Sequence, residues 1–220
     1  MNIAENKTIG EWEILEKKLK PAYNENWDEA YNFFELRICT RYLKPIEAIL
    51  HLNTNNGEGF AIVTLQCSLI ETIESFINGW IYRYPHFINQ NGIKLKSNDK
   101  IFKSFFSKRS PFKHYPIKII GGKFYKNVRC ALLHETQTKD NWKIKSDTFT
   151  AGFAYEEING GNFVEKTIYR ENFQRDLKIL ISKYKTSIIS GVEFDGISAC
   201  ELRENFISKF NHICKESILK

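Results

Sequence analysis

The chain has 220 residues, of which 42% are hydrophobic and 14% aromatic, and its formal net charge is +6 at pH 7. This composition predicts one large domain, or one domain with an elaboration, around a packed apolar core. The N-terminus has no apolar signal region, no apolar run is long enough to span a membrane, and the five scattered cysteines fit neither a disulfide framework nor a zinc ribbon. We therefore expect a cytoplasmic protein without a membrane anchor.

The first 52 residues are predicted to form an N-terminal helical extension. The pattern Thr8-x-x-Glu11 is a capping box and opens a short helix. A second helix is predicted from about Trp27 to Leu43, and Pro45 begins a third. The segment NTNNGEG, residues 53–59, is rich in turn residues and indicates the boundary.

The remainder, residues 53–220, is predicted to be the main helical bundle. Its strongest pattern has apolar residues three and four apart: Ile62, Leu65, Leu69, Ile73, Phe76 and Trp80. This rhythm indicates a central bundle helix, and Glu71 and Glu74 lie near its apolar stripe. Ser97 can cap a further helix over residues 98–108.

Basic and aromatic residues alternate across two prolines in the segment KRSPFKHYPIK, residues 108–118. Aromatic rings can stack on unpaired bases while Arg109 and Lys113 hold a nucleic-acid backbone. A loop pinned by its aromatic side chains explains the same pattern equally well.

The segment GGKFYKNVRCALLHETQTK, residues 121–139, is predicted to be an amphipathic helix. At about 100° per residue, one face carries Phe124, Val128, Ala131 and Leu132. The opposite face carries Lys123, Lys126, Asn127, Cys130, His134 and Gln137, and Arg129 lies on the border. His134 is therefore expected to face solvent, a cleft or a second chain.

Arg129 and His134 form an Arg-x4-His pair, and the chain contains a second pair with the same spacing, Arg109 and His114. The second pair encloses Pro111, so it is not expected to lie on a regular helix. Only the Arg129 pair combines a helix with a polar face.

The hydrophobic period changes to two after this helix. Strands are predicted at 142–144, 149–155 and 163–169, with a hairpin turn at INGGN, residues 158–162. We expect one small inserted antiparallel β element at about 142–170. Two helices complete the chain, the last opened by a capping box at Ser198.

Positive charge is concentrated in the middle of the chain. Residues 91–147 contain 14 Lys or Arg and 4 Asp or Glu. A basic surface of this kind attracts phosphates, although an ordinary solvated surface gives the same composition.

The stretch NVRCALLHE, residues 127–135, resembles the Arg-x4-6-His signature of HEPN domains, which are all-α bundles found in RNA-cleaving toxins and defence proteins. The signature covers about ten residues, and a looser likeness in helix order runs from roughly residue 60 to the C-terminus. The family commonly has a polar residue directly after the Arg, where this chain has Cys130. An acidic residue on an early helix is also common, and Glu74 is the supporting residue that the resemblance implies.

The resemblance implies a HEPN-like helical bundle that acts as a metal-independent endoribonuclease, with Arg129 and His134 as catalytic residues and no cofactor. The 2′-OH of RNA is a built-in nucleophile, a His can move its proton, and an Arg can stabilise the phosphate. The expected RNA-binding residues are Lys123, Lys126, Asn127, Arg109 and Lys113. We also expect a homodimer around the Arg129 helix, and an antitoxin or a defence-system protein as a partner.

Two alternatives stay open at this point. A HEPN-like bundle without catalysis would serve as a nucleic-acid or protein interaction module, and Cys130 favours it. A helical scaffold with an incidental basic face is the other. Ribonuclease activity distinguishes the first function from both alternatives, and salt-sensitive RNA binding distinguishes the two alternatives from each other.

Overall fold

The structure is a computed structural model that describes residues 1–52, 56–89, 91–115, 121–146, 152–159 and 163–218. Helix accounts for 64% of it and strand for 12%, which confirms the mainly α prediction. The α-helices in the described residues are α1 Ile9–Glu16, α2 Trp27–Ile38, α3 Lys44–Leu52, α4 Glu58–Asn78, α5 Asp99–Lys108, α6 Gly121–Phe124, α7 Ala131–Glu135, α8 Arg170–Ser190 and α9 Ala199–Ile218.

Helix α2 runs directly into α3 through a π-helical turn at Cys39–Leu43. We predicted that a new helix begins at Pro45, but the structure has helical conformation without a break from Trp27 to Leu52. Proline has no N–H to donate, and the five-residue hydrogen-bond spacing of a π turn is one way for a helix to pass such a residue.

The strands in the described residues are β1 Asn2–Ala4, β2 Lys7–Thr8, β3 Ile81–Arg83, β4 His86–Ile88, β5 Trp142–Lys145, β6 Ala154–Asn159 and β7 Phe163–Tyr169. Strands β1 and β2 form one antiparallel pair and β3 and β4 another. Neither pair was predicted from the sequence, because strands of two or three residues are too short to show a period of two.

The predicted insertion forms a three-stranded sheet in the order β5-β7-β6. Strand β6 pairs with β7 in antiparallel orientation, as the sequence predicts, whereas β5 is parallel to β7. The prediction of a wholly antiparallel element is therefore wrong for β5. Three predicted features, the loop residues 53–55, the strand residues 149–151 and the turn residues 160–162, lie outside the described residues.

The described chain folds into two compact units. Unit 1 comprises Met1–Pro45, Thr72–Lys96 and Ile181–Lys220. Its core is aromatic: the ring of Trp12 stacks on Phe210 at 4.6 Å, and Phe76 lies 5.1 Å from Phe210. The capping box predicted at Thr8 is present, since the Thr8 N–H donates to Glu11 Oε2 at 2.7 Å.

Unit 2 comprises Ile46–Glu71 and Ser97–Leu180. Its core also consists largely of phenylalanines, with Phe153 lying 4.8 Å from Phe173 and 5.5 Å from Phe106 between ring centroids. The many phenylalanines of the sequence are thus used to fill a core in each unit. The domain boundary that we place between residues 52 and 53 stays a prediction.

Helix α4 is long and apolar enough to cross a membrane by length and composition, with a mean hydropathy of 1.5. Of the apolar window, 61% is buried inside the protein, which is the pattern of a core helix in a soluble protein. The cytoplasmic location stays a prediction.

Candidate functional site

The candidate site lies on a continuous helical segment, Gly121–Glu135, that belongs to unit 2. We call it the site helix. Phe124 and Val128 are fully buried, whereas His134 is exposed. This burial is the one expected from the spacing of the apolar residues, because one stripe of an amphipathic helix covers the core. The helix ends at Glu135 rather than at residue 139, since Thr136 adopts a left-handed conformation with φ of 56°.

The centre of the site helix is a π-helical turn at Tyr125–Cys130. Each hydrogen bond there spans five residues instead of four, so the side chains that follow are rotated relative to an ideal α-helical wheel. Turns of this kind occur frequently at functional sites. The turn includes Arg129, the first residue of the predicted catalytic pair.

Arg129 forms a two-pronged ion pair with Glu71 of α4. Arg129 Nε donates to Glu71 Oε1 at 2.8 Å, and Nη2 donates to Oε2 at 3.2 Å. Both side chains are partly buried, with 23% of Arg129 and 19% of Glu71 exposed. A side-on pair of this geometry fixes the guanidinium plane and uses one edge of it. Within the described residues, Arg129 Nη1 donates to no acceptor.

Electrostatics keep Arg129 charged. Burial lowers the pKa of Arg129, but the hydrogen bond and the charge of Glu71 outweigh burial and raise the pKa above its ordinary value. The ring of Tyr125 lies 5.7 Å from the guanidinium carbon, which adds a cation–π contact. Arg129 is therefore a cation held in place from two sides.

Cys130, which departs from the HEPN pattern, is half-buried beside Tyr125. Burial, followed by a hydrogen bond to Cys130, raises the pKa of Tyr125 to about 12. Cys67 lies in the same neighbourhood, and its burial together with the charge of Glu71 raises its pKa. Cys130 is thus a neighbour of Tyr125 in the helix, and among the described contacts none joins it to His134.

His134 lies in the last turn of α7 with its side chain exposed. The following residue, Glu135, pairs with Lys139 at 2.9 Å. Across the described part of the chain, no hydrogen bond or ion pair joins His134 to Arg129. The structure therefore places the two predicted catalytic residues on one helix without bringing their side chains into direct contact.

Two of the predicted RNA-binding residues, Lys123 and Lys126, are exposed on the site helix. Neither forms an ion pair with a described residue. Asn127 has a structural contact, because its Nδ2 donates to Asp140 Oδ2 at 3.2 Å. The Lys139 N–H donates to the Asn127 carbonyl at 2.9 Å, so Asn127 holds the loop that follows the helix.

The second Arg-x4-His pair, Arg109 and His114, has a different environment. Arg109 follows α5 and only 1% of it is exposed, so an RNA backbone cannot reach its guanidinium. We correct the expectation that Arg109 contacts RNA. Lys113 and His114 are exposed in a short 3-10 turn, Phe112–His114, which the two flanking prolines favour over an α-helix.

The acidic side chain that contacts Arg129 is Glu71, and Glu74, the predicted supporting residue, lies elsewhere on α4. Glu74 is 1% exposed, belongs to unit 1 and accepts a hydrogen bond from Asn78 Nδ2 at 3.0 Å. Glu71, one helical turn earlier, is the residue that pairs with Arg129. Both residues lie near the apolar stripe of α4, and nothing in the sequence distinguishes them.

Acidic residues neutralise part of the basic middle region. Lys103 pairs with Asp99 at 2.6 Å, and Lys143 of β5 pairs with Glu165 of β7 at 2.7 Å. Lys123 and Lys126 of the site helix are exposed and form no ion pair with a described residue. They therefore account for more of the unneutralised positive charge of this region than a count of its lysines and arginines indicates.

No cluster of three or more His, Cys, Asp or Glu side chains that could hold a metal ion occurs in the residues that the structure describes. What the arrangement offers chemically is a fixed arginine, an exposed histidine and nearby lysines. In comparisons with known proteins, no family model, no curated protein and no solved structure matches the chain.

Proposed function

We propose that the chain is a metal-independent endoribonuclease of HEPN type, with Arg129 and His134 as its catalytic residues. The observation that supports this proposal is the side-on ion pair between Glu71 and Arg129, on the same helix as an exposed His134. The ion pair leaves one edge of the guanidinium available for a phosphate oxygen, in the two-oxygen geometry that arginine favours.

In the proposed reaction, the nucleophile is the 2′-OH of the RNA. His134 accepts the 2′-OH proton, and the 2′-oxygen attacks the adjacent phosphorus. Arg129 stabilises the charge that develops on the phosphate oxygens. The 5′-oxygen of the next nucleotide leaves and takes up a proton from water, while His134 later releases its proton to the solvent. The products are a 2′,3′-cyclic phosphate and a 5′-hydroxyl. No metal is needed to generate the nucleophile.

We further propose that two chains associate through the site helix. Within the described residues, Arg129 and His134 make no direct contact on their own helix, whose π-helical turn at Tyr125–Cys130 includes Arg129. A two-fold axis beside the helix lets the arginine of one chain approach the histidine of its partner. Leu133, which is 46% exposed beside His134, supplies apolar surface for such an interface.

The direct test is cleavage of a short single-stranded RNA in excess EDTA. The wild-type protein is expected to cleave the RNA, and an RNA with 2′-deoxyribose at the cleavage site is expected to remain uncleaved. Cleavage that stops in EDTA and returns with magnesium would contradict the mechanism.

The dimer has its own test, in which specific activity and sedimentation are followed over a dilution series. Leu133→Glu is expected to weaken both self-association and cleavage. Asn127 is a poor probe, because Glu at that position would meet Asp140 within its own chain. A monomer at every concentration that retains full activity would contradict the interface.

A non-catalytic interaction module is the second candidate, and the same ion pair favours it. Glu71 neutralises Arg129, which weakens the attraction of this residue for phosphate. In this case the protein binds RNA through Lys123 and Lys126 without cutting it. Salt-sensitive binding, with no cleavage by wild type or by Glu71→Gln, is the result that this candidate predicts.

A further inference from the structure

A pocket in unit 2 lies outside the Arg129–His134 site. It has a volume of about 360 Å³ and is lined by the start of α4, the end of β5 and the first residue of α8. Such a volume is at the lower end of the range of about 300–1,000 Å³ that small-molecule sites occupy.

The pocket contains a buried cation. Arg170 is 5% exposed, and its Nε has no hydrogen-bond partner. No other described residue forms an ion pair with its guanidinium. A buried charge without a partner costs several kcal/mol, so a chain that keeps one has a use for it. An anion in the pocket would supply the missing partner.

The backbone at the pocket is shaped for close approach. Gly57 has φ of 102°, a conformation that favours glycine. At Gly59, a Cβ would lie 2.9 Å from Ile144 Cγ2 and 3.4 Å from Arg170 Nη1. A side chain at position 59 would therefore crowd the wall of the pocket and the guanidinium.

Helix α4, which begins at Glu58, is 21 residues long. The Phe60 N–H donates to the Gly57 carbonyl at 3.0 Å, but the dipole of the helix still favours an anion at this end. Lys145, which is exposed, and Ser146 also line the pocket. The helix start and Arg170 thus favour the same kind of ligand independently of each other.

Two lining residues refine the choice of anion. Glu58 carries a carboxylate that works against a high negative charge. Phe60 is 41% exposed at the pocket and offers a ring on which a base can stack. The combination fits a phosphate group that is attached to a nucleoside better than it fits a polyphosphate.

We propose that this pocket binds the phosphate of a nucleoside 5′-monophosphate, with Arg170 as the main phosphate contact. The site does not depend on the proposed ribonuclease function. Its phosphate can come from a free mononucleotide or from the 5′ end of an RNA, and the chemistry recognised is the same.

The test is isothermal titration calorimetry on the full chain with adenosine 5′-monophosphate. Arg170→Met is expected to weaken binding at least tenfold, whereas Arg175→Met is expected to leave it within twofold. Arg175 is a matched control, since it lies on the same helix, is exposed and pairs with Asp176 outside the pocket. Glu58→Gln is expected to tighten binding. Equal binding by wild type and Arg170→Met, or no binding by wild type, would overturn the proposal.

A folding control and a source control complete the experiment. Arg170→Met is expected to unfold at no lower temperature than wild type when no ligand is present, because it removes a buried charge. A lower temperature would assign Arg170 a structural role and count against the proposal. A 5′-phosphorylated RNA that binds more tightly than its 5′-hydroxyl form and than the mononucleotide would identify an RNA end as the source, and tighter binding of the mononucleotide would identify the free nucleotide.

The two proposals can fail separately. His134→Ala removes the histidine of the ribonuclease chemistry and is expected to bind adenosine 5′-monophosphate as wild type does. A chain that cleaves no RNA but binds the nucleotide through Arg170 would contradict the ribonuclease proposal and leave the nucleotide-binding proposal standing.

Discussion

The chain contains two Arg-x4-His pairs with the same spacing and opposite environments. Arg129 is held at a partly exposed position by Glu71, with His134 in solvent. Arg109 is buried after the end of α5, with His114 in a 3-10 turn beyond it. Equal spacing in sequence therefore says little about a shared site. The backbone between the two residues and the burial of the arginine decide whether a pair can reach a substrate.

The largest effect is expected from the two histidines. His134→Ala should lower RNA cleavage by a factor of 100 or more, in line with the roughly 10²–10⁴-fold contribution of general acid–base groups. His114 is also exposed and belongs to unit 2, and His114→Ala should leave the rate unchanged. The measurement is the single-turnover rate on the same RNA. Equal rates for the two variants would remove the distinction between the pairs.

The two arginine variants should differ in protein stability. Here the larger effect is expected at the Arg109 pair, whereas the larger effect on cleavage is expected at the Arg129 pair. Arg109→Ala removes a large, almost fully buried polar side chain together with the contacts that it makes, so it should lower the free energy of unfolding by about 1–3 kcal/mol. Arg129→Ala also breaks an ion pair, but both of its side chains keep about a fifth of their surface in solvent. Water can therefore solvate the remaining carboxylate, and the loss should be at the lower end of that range, about 1 kcal/mol. Urea denaturation measures both, and a larger loss for Arg129→Ala would contradict the burial argument.

Glu71→Gln sharpens the role of the ion pair. The amide keeps the shape of the carboxylate and removes its charge, so Arg129 is positioned less firmly. We expect cleavage to fall about tenfold, equivalent to about 1.4 kcal/mol, while RNA binding tightens because the local charge becomes more positive. Glu74→Gln is the control. A cleavage rate that rises in Glu71→Gln would show that the pair inhibits the site.

The smallest effect is expected on the pH dependence of stability. One tyrosine lies beside each pair, Tyr125 beside Arg129 and Tyr115 beside His114, and the two should contribute in the same way. Burial raises the pKa of Tyr125 and of Tyr115 to about 12 in the folded chain. An unfolded tyrosine titrates near about 10, so each contribution is complete below pH 10 and is lost as pH rises from 10 to 12. Tyr125→Phe and Tyr115→Phe should each make the fall in stability over this window less steep, as measured by urea denaturation at a series of pH values. A slope that changes in only one variant would show that the two environments differ.

Local chemistry determined most of the secondary structure. The apolar spacing of Phe124 and Val128 is sufficient to fix the buried face of the site helix and to place His134 outside. The capping box at Thr8 and the limits of β7 at Phe163–Tyr169 likewise follow from residues that are neighbours in the chain. Interactions over three or four positions, and a period of two in strands, are visible in a single sequence.

Only the tertiary structure decided which distant residues meet. Glu71 and Glu74 are equivalent by helical spacing, yet Glu71 reaches across 58 positions to Arg129. Three other features also depend on residues that are distant in the sequence. They are the burial of Arg109, the parallel pairing of β5 with β7 and the position of Arg170 beside the start of α4. These contacts depend on how helices and strands pack, and packing depends on the summed shape of many side chains, so no local pattern encodes it.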